Sequence, residues 1–240
     1  QYLHSLADPH SMPDNHIWVI YNDSFGTILI GTRNVLAKYN QRTDNFTGYI
    51  SEDTSFGRPA CNEIISLMES SQGVLWAGTW YGGLARFNKE TGQFRYYFGE
   101  GDTLTIPRIR TLFQRTANSF YLGSDDGLYT FNTATGECLP TDDEQNKESI
   151  YACYQDREGG IWIGSYFSGV SYLSPKHKDI EWYYPNGTEN SLSGNVISQF
   201  CEDPDGNIWI ATEDGGLNLF DPRTRKFKNH LLKSSNLNIG

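Results

Sequence analysis

The stretch Asn195-Val-Ile-Ser-Gln-Phe-Cys-Glu-Asp-Pro-Asp-Gly-Asn-Ile-Trp-Ile-Ala-Thr-Glu-Asp-Gly-Gly-Leu-Asn-Leu-Phe-Asp221 decides the fold. It reads as three short apolar strands, carried by Ile197 and Phe200, by Ile208 to Ile210 and by Leu217 to Phe220, separated by an Asp-Gly turn and a Gly-Gly break. The central segment is one of five copies: Gly26-Thr-Ile-Leu-Ile-Gly-Thr32, Gly73-Val-Leu-Trp-Ala-Gly-Thr79, Asn118-Ser-Phe-Tyr-Leu-Gly-Ser124, Gly159-Gly-Ile-Trp-Ile-Gly-Ser165 and Gly206-Asn-Ile-Trp-Ile-Ala-Thr212. Upstream, a strand A aligns through Ile17, Ile64, Ile109, Ile150 and Ile197 and then through Ile20, Leu67, Leu112, Cys153 and Phe200. The Trp-bearing run is strand B. Strand C aligns on Leu36, Leu84, Leu128, Val170 and Leu217, and a fourth strand, D, on Phe46, Phe94, Cys138, Ile180 and Phe227.

Four short antiparallel strands per unit of about 45 residues is the period of a β-propeller blade. The sequence therefore predicts an all-β protein, a β-propeller of four-stranded antiparallel blades with five repeats over residues 1–240. The blades fall at approximately 15–50, 62–100, 107–140, 148–186 and 195–230, with inter-blade linkers at both termini. Gly in the A–B turn supplies a positive φ, and Asn118 is expected to take the same left-handed conformation in the third unit. Gly31, Gly78, Gly123 and Gly164 sit inside strand B and are expected to make room for an adjacent blade. Asp8 to Asn15, Glu189 to Asn195 and Ser234 to Asn238 look like one recurring connector. The chain then reads as a segment of a larger ring, or as a five-bladed ring closed by side-chain contact. The first is favoured, because an unclosed ring leaves two blade surfaces exposed.

Composition narrows the function. With 19 basic and 29 acidic side chains the formal charge is −10, which argues against a nucleic-acid or anionic-membrane surface. The 6 Trp, 15 Tyr and 13 Phe are enough for a sizeable core. No apolar run approaches a membrane span, and the first 20 residues do not read as a leader. Cys61, Cys138, Cys153 and Cys201 form no CxxC pair, and Cys153 and Cys201, inside apolar strands, are expected to be small buried hydrophobes. His4, His10, His16, His177 and His230 have no zinc spacing, and Asp203-Pro-Asp-Gly-Asn207 reads as a turn rather than a calcium loop, so no metal or cofactor is expected. The acidic run Asp142-Asp-Glu144 reads as a solvated connector, and the sequons at Asn22, Asn45 and Asn186 carry meaning only in a eukaryotic secretory setting.

The repeat quoted at Asn195 to Asp221 closely resembles the two-component regulator propeller repeat, and units two and four are nearly as similar. The resemblance implies the extracytoplasmic sensor region of a hybrid two-component system of Bacteroidetes: two seven-bladed propellers, a β-sandwich, a membrane helix and a cytoplasmic histidine kinase. It implies a periplasmic setting, an oligosaccharide ligand, the remaining sensor and kinase domains of a parent chain as partners, and a receptor homodimer. This chain departs from that pattern. It holds five repeats and no sandwich, membrane span or kinase motif; the first unit reads Thr32-Arg-Asn-Val35 where others have Gly-Gly, and the third is one residue shorter at Asp125-Asp126-Gly127.

By analogy with other propellers the B–C loop tips share one face with the start of strand A. The candidate ligand-binding residues are Arg33, Asn34, Trp80, Tyr81, Asp125, Asp126, Tyr166, Phe167, Glu213 and Asp214. Flat aromatics beside carboxylates and amides suit a sugar, whose C–H faces stack on rings while its hydroxyls need polar partners. The alternative is that Trp80, Tyr81, Tyr166 and Phe167 simply cover the gaps between blades. An acidic glycan would call on Arg33, Arg108 or Arg110, a neutral one on aromatics and carboxylates. Strand A begins at His16, Glu63, Arg108, Ser149 and Val196, and of the carboxylates there only Glu63 and the neighbouring Glu148 could serve a glycosidase, so no catalytic residues are assigned. Two functions remain: a glycan-sensing propeller segment, or a protein-interaction or dimerisation scaffold without a small ligand.

Overall fold

The structure, a computed structural model, describes residues 1–51, 63–98, 106, 108–141, 147–175 and 180–230. Cys61, Asp142 to Glu144, His177 and the connector Ser234 to Asn238 lie outside the described residues. The described residues form five four-stranded antiparallel sheets in which each strand pairs with the next in sequence. Blade 1 comprises β1 (Ile17–Asn22), β2 (Ile28–Thr32), β3 (Leu36–Asn40) and β4 (Asn45–Tyr49); blade 2 comprises β5 (Ile64–Glu69), β6 (Leu75–Thr79), β7 (Leu84–Phe87) and β8 (Phe94–Tyr97). Blade 3 is β9 (Thr111–Thr116), β10 (Ser119–Ser124), β11 (Gly127–Asn132) and β12 (Cys138–Pro140). Blade 4 is β13 (Ile150–Gln155), β14 (Ile161–Ser165), β15 (Val170–Leu173) and β16 (Ile180–Tyr183), and blade 5 is β17 (Ile197–Glu202), β18 (Ile208–Thr212), β19 (Gly216–Asp221) and β20 (Lys226–His230). Among the described residues no helix is long and apolar enough to cross a membrane. The chain divides into two compact units, residues 1–141 with blades 1 to 3 and residues 142–240 with blades 4 and 5.

Within each unit the core lies in the seams between consecutive blades. In the seam of blades 1 and 2, Leu29 and Leu36 pack with Ile64, Leu67, Leu75, Phe87 and Tyr96. In that of blades 2 and 3, Met68, Trp76 and Leu84 meet Ile109, Phe120, Leu122 and Phe131. In the second unit Trp162 and Val170 of blade 4 meet Ile197, Phe200, Ile208 and Phe220 of blade 5. The alternation of each strand thus supplies the apolar face that each of these seams buries.

The seam is close because of a glycine. A Cβ placed on Gly31 would lie 2.6 Å from the Ile64 carbonyl oxygen, one on Gly78 2.3 Å from that of Ile109, and one on Gly164 2.5 Å from the Ile197 side chain. The repeated Ile of strand A therefore lies against the repeated Gly of the preceding blade. Polar staples reinforce the contact at the other end of strand A. Glu69 accepts the Ser24 N–H at 2.6 Å, Gln114 the Ser71 N–H at 2.6 Å and Glu202 the Arg157 N–H at 3.0 Å, each from the A–B turn of the preceding blade. In the first seam Lys89 adds a bridge, with its ammonium 2.7 Å from Asp23 and 2.6 Å from Glu69, both nearly buried.

Two sequence expectations are corrected. Gly26, Gly73, Gly159 and Gly206 do take positive φ, between 74° and 87°, but Asn118 does not enter the left-handed region. The hairpin of blade 3 is shorter: Thr116 pairs directly with Ser119, leaving the two residues Ala117 and Asn118, so the longer glycine-closed turn is not built. Cys201 is exposed rather than buried, and Cys153 is half-buried. Cys201 follows buried Phe200 and so points to the opposite face of blade 5, against which no described strand of the second unit packs. Ile20 shows the same effect in blade 1: it is 66% exposed, whereas its counterparts Leu67 and Phe200 are 8% and 7% exposed.

Two substitutions test the seams. Gly78→Ala drives a methyl into the Ile109 backbone and is expected to cost about 1–3 kcal/mol in urea unfolding; an unchanged midpoint would show that the seam yields freely. Lys89→Met leaves two buried carboxylates unpaired, at about 3 kcal/mol near neutral pH. Burial is the largest effect and raises the pKa of Asp23 and of Glu69, but the hydrogen bond and charge of Lys89, joined by the N–H groups of Thr27 and Phe25 at Asp23 and by Ser24 at Glu69, together hold both below their ordinary values of 3.8 and 4.5. Depressed carboxylate pKa values give stability that is present above the ordinary values and lost as pH falls through the folded ones. The penalty of Lys89→Met should therefore shrink below about pH 4, and an equal penalty at neutral and acid pH would count against the pair.

Candidate functional site

The B–C hairpins are built by a device the sequence shows only as a repeated hydroxyl. Thr32, Thr79, Ser165 and Thr212 end strand B, and each turns its hydroxyl onto the carbonyl that opens strand C, those of Val35, Gly83, Gly169 and Gly216, at 2.7–3.2 Å. The next residue donates its N–H back to the residue before strand A: Arg33 to His16, Trp80 to Glu63, Tyr166 to Ser149 and Glu213 to Val196, at 2.9–3.2 Å. The loop tips are thus tied to the entry of strand A. At that entry the ladder carries a bulge, between Ile17 and Val19, Ile64 and Ser66, Ile150 and Ala152, and Ile197 and Gln199. A bulge re-aims the residue it extrudes. The extruded residues are Trp18, Ile65, Tyr151 and Ser198; Arg110, just before β9, aligns with them in blade 3.

In the first unit these positions meet. The Trp80 ring lies 5.0 Å from that of Trp18 in blade 1, and the guanidiniums of Arg108 and Arg110 in blade 3 lie over it at 4.5 and 5.6 Å. Both arginines bind one carboxylate: Arg108 Nη1 is 2.7 Å from Asp125 Oδ2, and Arg110 Nε bonds Asp125 Oδ1. Burial raises the Asp125 pKa, but Arg110 and Arg108 outweigh it and hold the carboxyl below its usual range, while Asp125 raises that of Arg108. Trp18 is 44% and Tyr81 60% exposed. The cluster is therefore a partly open floor of aromatic rings and guanidinium groups joining three blades.

The other candidates are placed differently. Arg33 is exposed at its hairpin tip, and Asn34 is held by Asp14 through a 2.5 Å bond from its amide. Asp126 is turned back on its own hairpin by Ser124 and by the Tyr129 hydroxyl at 3.2 Å. In the second unit Tyr166 stacks on the bulge residue Tyr151 at 4.8 Å and meets Phe167 edge-on at 4.5 Å, leaving Phe167 largely exposed. Asp214 accepts the N–H groups of Asn195 and Val196 at 3.0 and 3.1 Å, which overcome the upward effect of burial and lower its pKa; its neighbour Glu213 is exposed. Trp18 and Tyr151 were missed as site residues. Their signal was a position that varies directly after the repeated Ile17 and Ile150. Among the described residues no group of three or more His, Cys, Asp or Glu could hold a metal ion.

Four segments of the chain, residues 11–34, 59–81, 144–167 and 191–214, match the two component regulator propeller family. Each match ends at a B–C loop tip, and the unit with the shortened hairpins is not among them. No curated protein matches the sequence. Among solved structures, the chain is similar to the extracellular domain assigned to a hybrid two component system of B. thetaiotaomicron, BT3049, with a TM-score of 0.76 and 21% identity over 91% of this chain and 28% of that one. It is also similar to the extracellular domain of BT4673 from the same organism, with a TM-score of 0.56 and 21% identity over 93% of this chain and 38% of that one. Virginiamycin B lyase from Staphylococcus aureus gives a TM-score of 0.69 at 12% identity over 92% of this chain and 71% of that one. At these identities the likeness is one of fold, and the chain spans well under half the length of the two B. thetaiotaomicron domains.

Trp80 and Tyr81 should behave differently on truncation. Trp80→Ala removes a ring packed by three blades and is expected to cost about 2 kcal/mol, whereas Tyr81→Ala should cost about 0.5 kcal/mol. Urea unfolding of both variants measures the difference, and equal, small effects would mark Trp80 as a free platform instead.

Proposed function

We propose that this chain, which carries two component regulator propeller repeats, is a ligand-sensing propeller segment of the periplasmic region of a hybrid two-component sensor, and that its ligand is an oligosaccharide. The observation that carries the reading is the floor of Trp18, Trp80, Tyr81, Arg108, Arg110 and Asp125. Open ring faces at Trp18 and Tyr81 suit the C–H face of a pyranose, while Arg108, Asp125 and Asn34 offer donors and acceptors for hydroxyls. The likeness in fold to the extracellular domain of BT3049, assigned to a hybrid two component system, supports the same setting. In this reading the partners are the remaining sensor and kinase domains of the parent chain and a second receptor copy. A sugar lying across loops of three blades favours one arrangement of them and so biases the receptor dimer. In this reading the segment itself is non-catalytic, since at the starts of strand A the carboxylates are Glu63 and the neighbouring Glu148 alone.

Isothermal titration of the chain with oligosaccharides from plant and host glycans tests the proposal. A sugar is expected to bind, and Tyr81→Ala or Trp18→Ala should weaken it about tenfold while the unfolding midpoint is kept. Absence of binding by every sugar, or affinity indifferent to both substitutions, would overturn the reading in favour of a protein-binding scaffold.

A further inference from the structure

We infer that the ligand of this face is an acidic saccharide, whose carboxylate or sulfate ester is received by the guanidinium of Arg108; this rests on the oligosaccharide reading and narrows it. Among the described candidate positions the guanidiniums, those of Arg33, Arg108 and Arg110, all belong to the first unit, and the tips of blades 4 and 5 carry Tyr166, Phe167, Glu213 and Asp214 instead. Arg108 stands out among the three. Its φ is +41°, a left-handed conformation that L-residues other than Asn and Asp seldom adopt and that is costly to hold. The backbone is kept there by its N–H, which donates to the Trp80 carbonyl at 3.2 Å.

That conformation lays the guanidinium on Trp80 at 4.5 Å, with Nη1 on Asp125. As a mere link between blades 2 and 3 it would be redundant. Arg110 already joins the same carboxylate to the same ring, and does so from a more enclosed position, its side chain 19% exposed against 35% for Arg108. The Arg108 fork is therefore fixed in orientation and still open to solvent. A planar guanidinium with N–H groups beyond the Nη1 contact to Asp125 matches a carboxylate or sulfate in two-point geometry, and its rotamer entropy has been lost before the ligand arrives. The exposed rings of Tyr81 and Trp18 beside it would take the sugar face.

The test uses matched pairs of oligosaccharides that differ in one group: a uronic acid against the same sugar with a C6 alcohol, and a sulfated against an unsulfated sugar. In titration of the whole chain the acidic member of at least one pair should bind about tenfold or more tightly than its neutral partner, as hydrogen bonds to charged groups do. Arg108→Gln should remove that difference, weakening the acidic member far more than the neutral one, and Arg108→Lys should restore only part of it. The acidic member alone should weaken in added salt, a readout that needs no variant and so survives if Arg108→Gln fails to fold. Equal binding of both members, or a preference that persists in Arg108→Gln, would overturn the acidic inference and leave the oligosaccharide reading standing. No binding by any member would overturn both.

Discussion

The contact between the strand B glycine of one blade and the strand A isoleucine of the next sets the rest of the structure. At Gly31, Gly78 and Gly164 a single methyl group would meet the neighbouring blade within 2.6 Å, so the sheets approach as closely as backbones allow. Close approach is what lets the large side chains behind it interdigitate. Trp162 is almost wholly buried against Phe220 and Phe200 across such a seam, and burial of that kind is worth about 2–3 kcal/mol per large side chain. The same spacing brings Glu69, Gln114 and Glu202 within reach of the preceding A–B turns. On faces without a neighbouring described strand of their unit Ile20 and Cys201 are exposed, while Ile30, Ala37 and Phe46 of blade 1 are buried in a cluster with Met12.

The candidate site is a consequence of that spacing. Loop tips that vary between repeats are carried by hairpins that do not, each closed by a Thr or Ser hydroxyl and tied to the start of strand A. Because the first-unit seams are tight, Trp18 of blade 1 and Arg108 and Arg110 of blade 3 converge on the Trp80 ring of blade 2, at 4.5–5.6 Å. The price is paid locally: two guanidiniums share Asp125, and Arg108 holds a left-handed backbone. Rigid scaffolds commonly concentrate such strain where ligands are met.

Blade 2 also shows what a small departure from the repeat costs. Trp162 donates its indole N–H to Asp156, six residues earlier, at 2.9 Å. At the matching place before Trp76 the chain has Ser70, whose hydroxyl accepts the Val74 N–H instead, and the buried Trp76 Nε1 has no partner. A short side chain cannot span what the carboxylate spans, so the indole is left unsatisfied in an otherwise well-packed seam.

Residues repeated in every unit were legible in the sequence, because each recurs for a reason that acts locally: glycine for the turn or the seam, branched and aromatic residues for the strand faces, turn residues between them. They determine the blades, the strand order and the place of the variable tips. Single-unit readings fared less well. Asn118 was read by analogy with glycines it replaces, yet a shorter hairpin removed the need for positive φ. The sequence leaves Trp80 as either a sugar platform or a cover between blades; side chains from blades 1 and 3 pack on it, and the more exposed rings are Trp18 and Tyr81. No period in the sequence points to Trp18, since a bulge shifts the alternation by one and aims it at a residue 62 positions away. The sequence alone determined the repeating frame, whose contacts are dictated by neighbours within one strand or turn. The tertiary structure alone decided which side chains on that frame are spent on each other and which stay open, because that depends on residues brought together only when successive blades close.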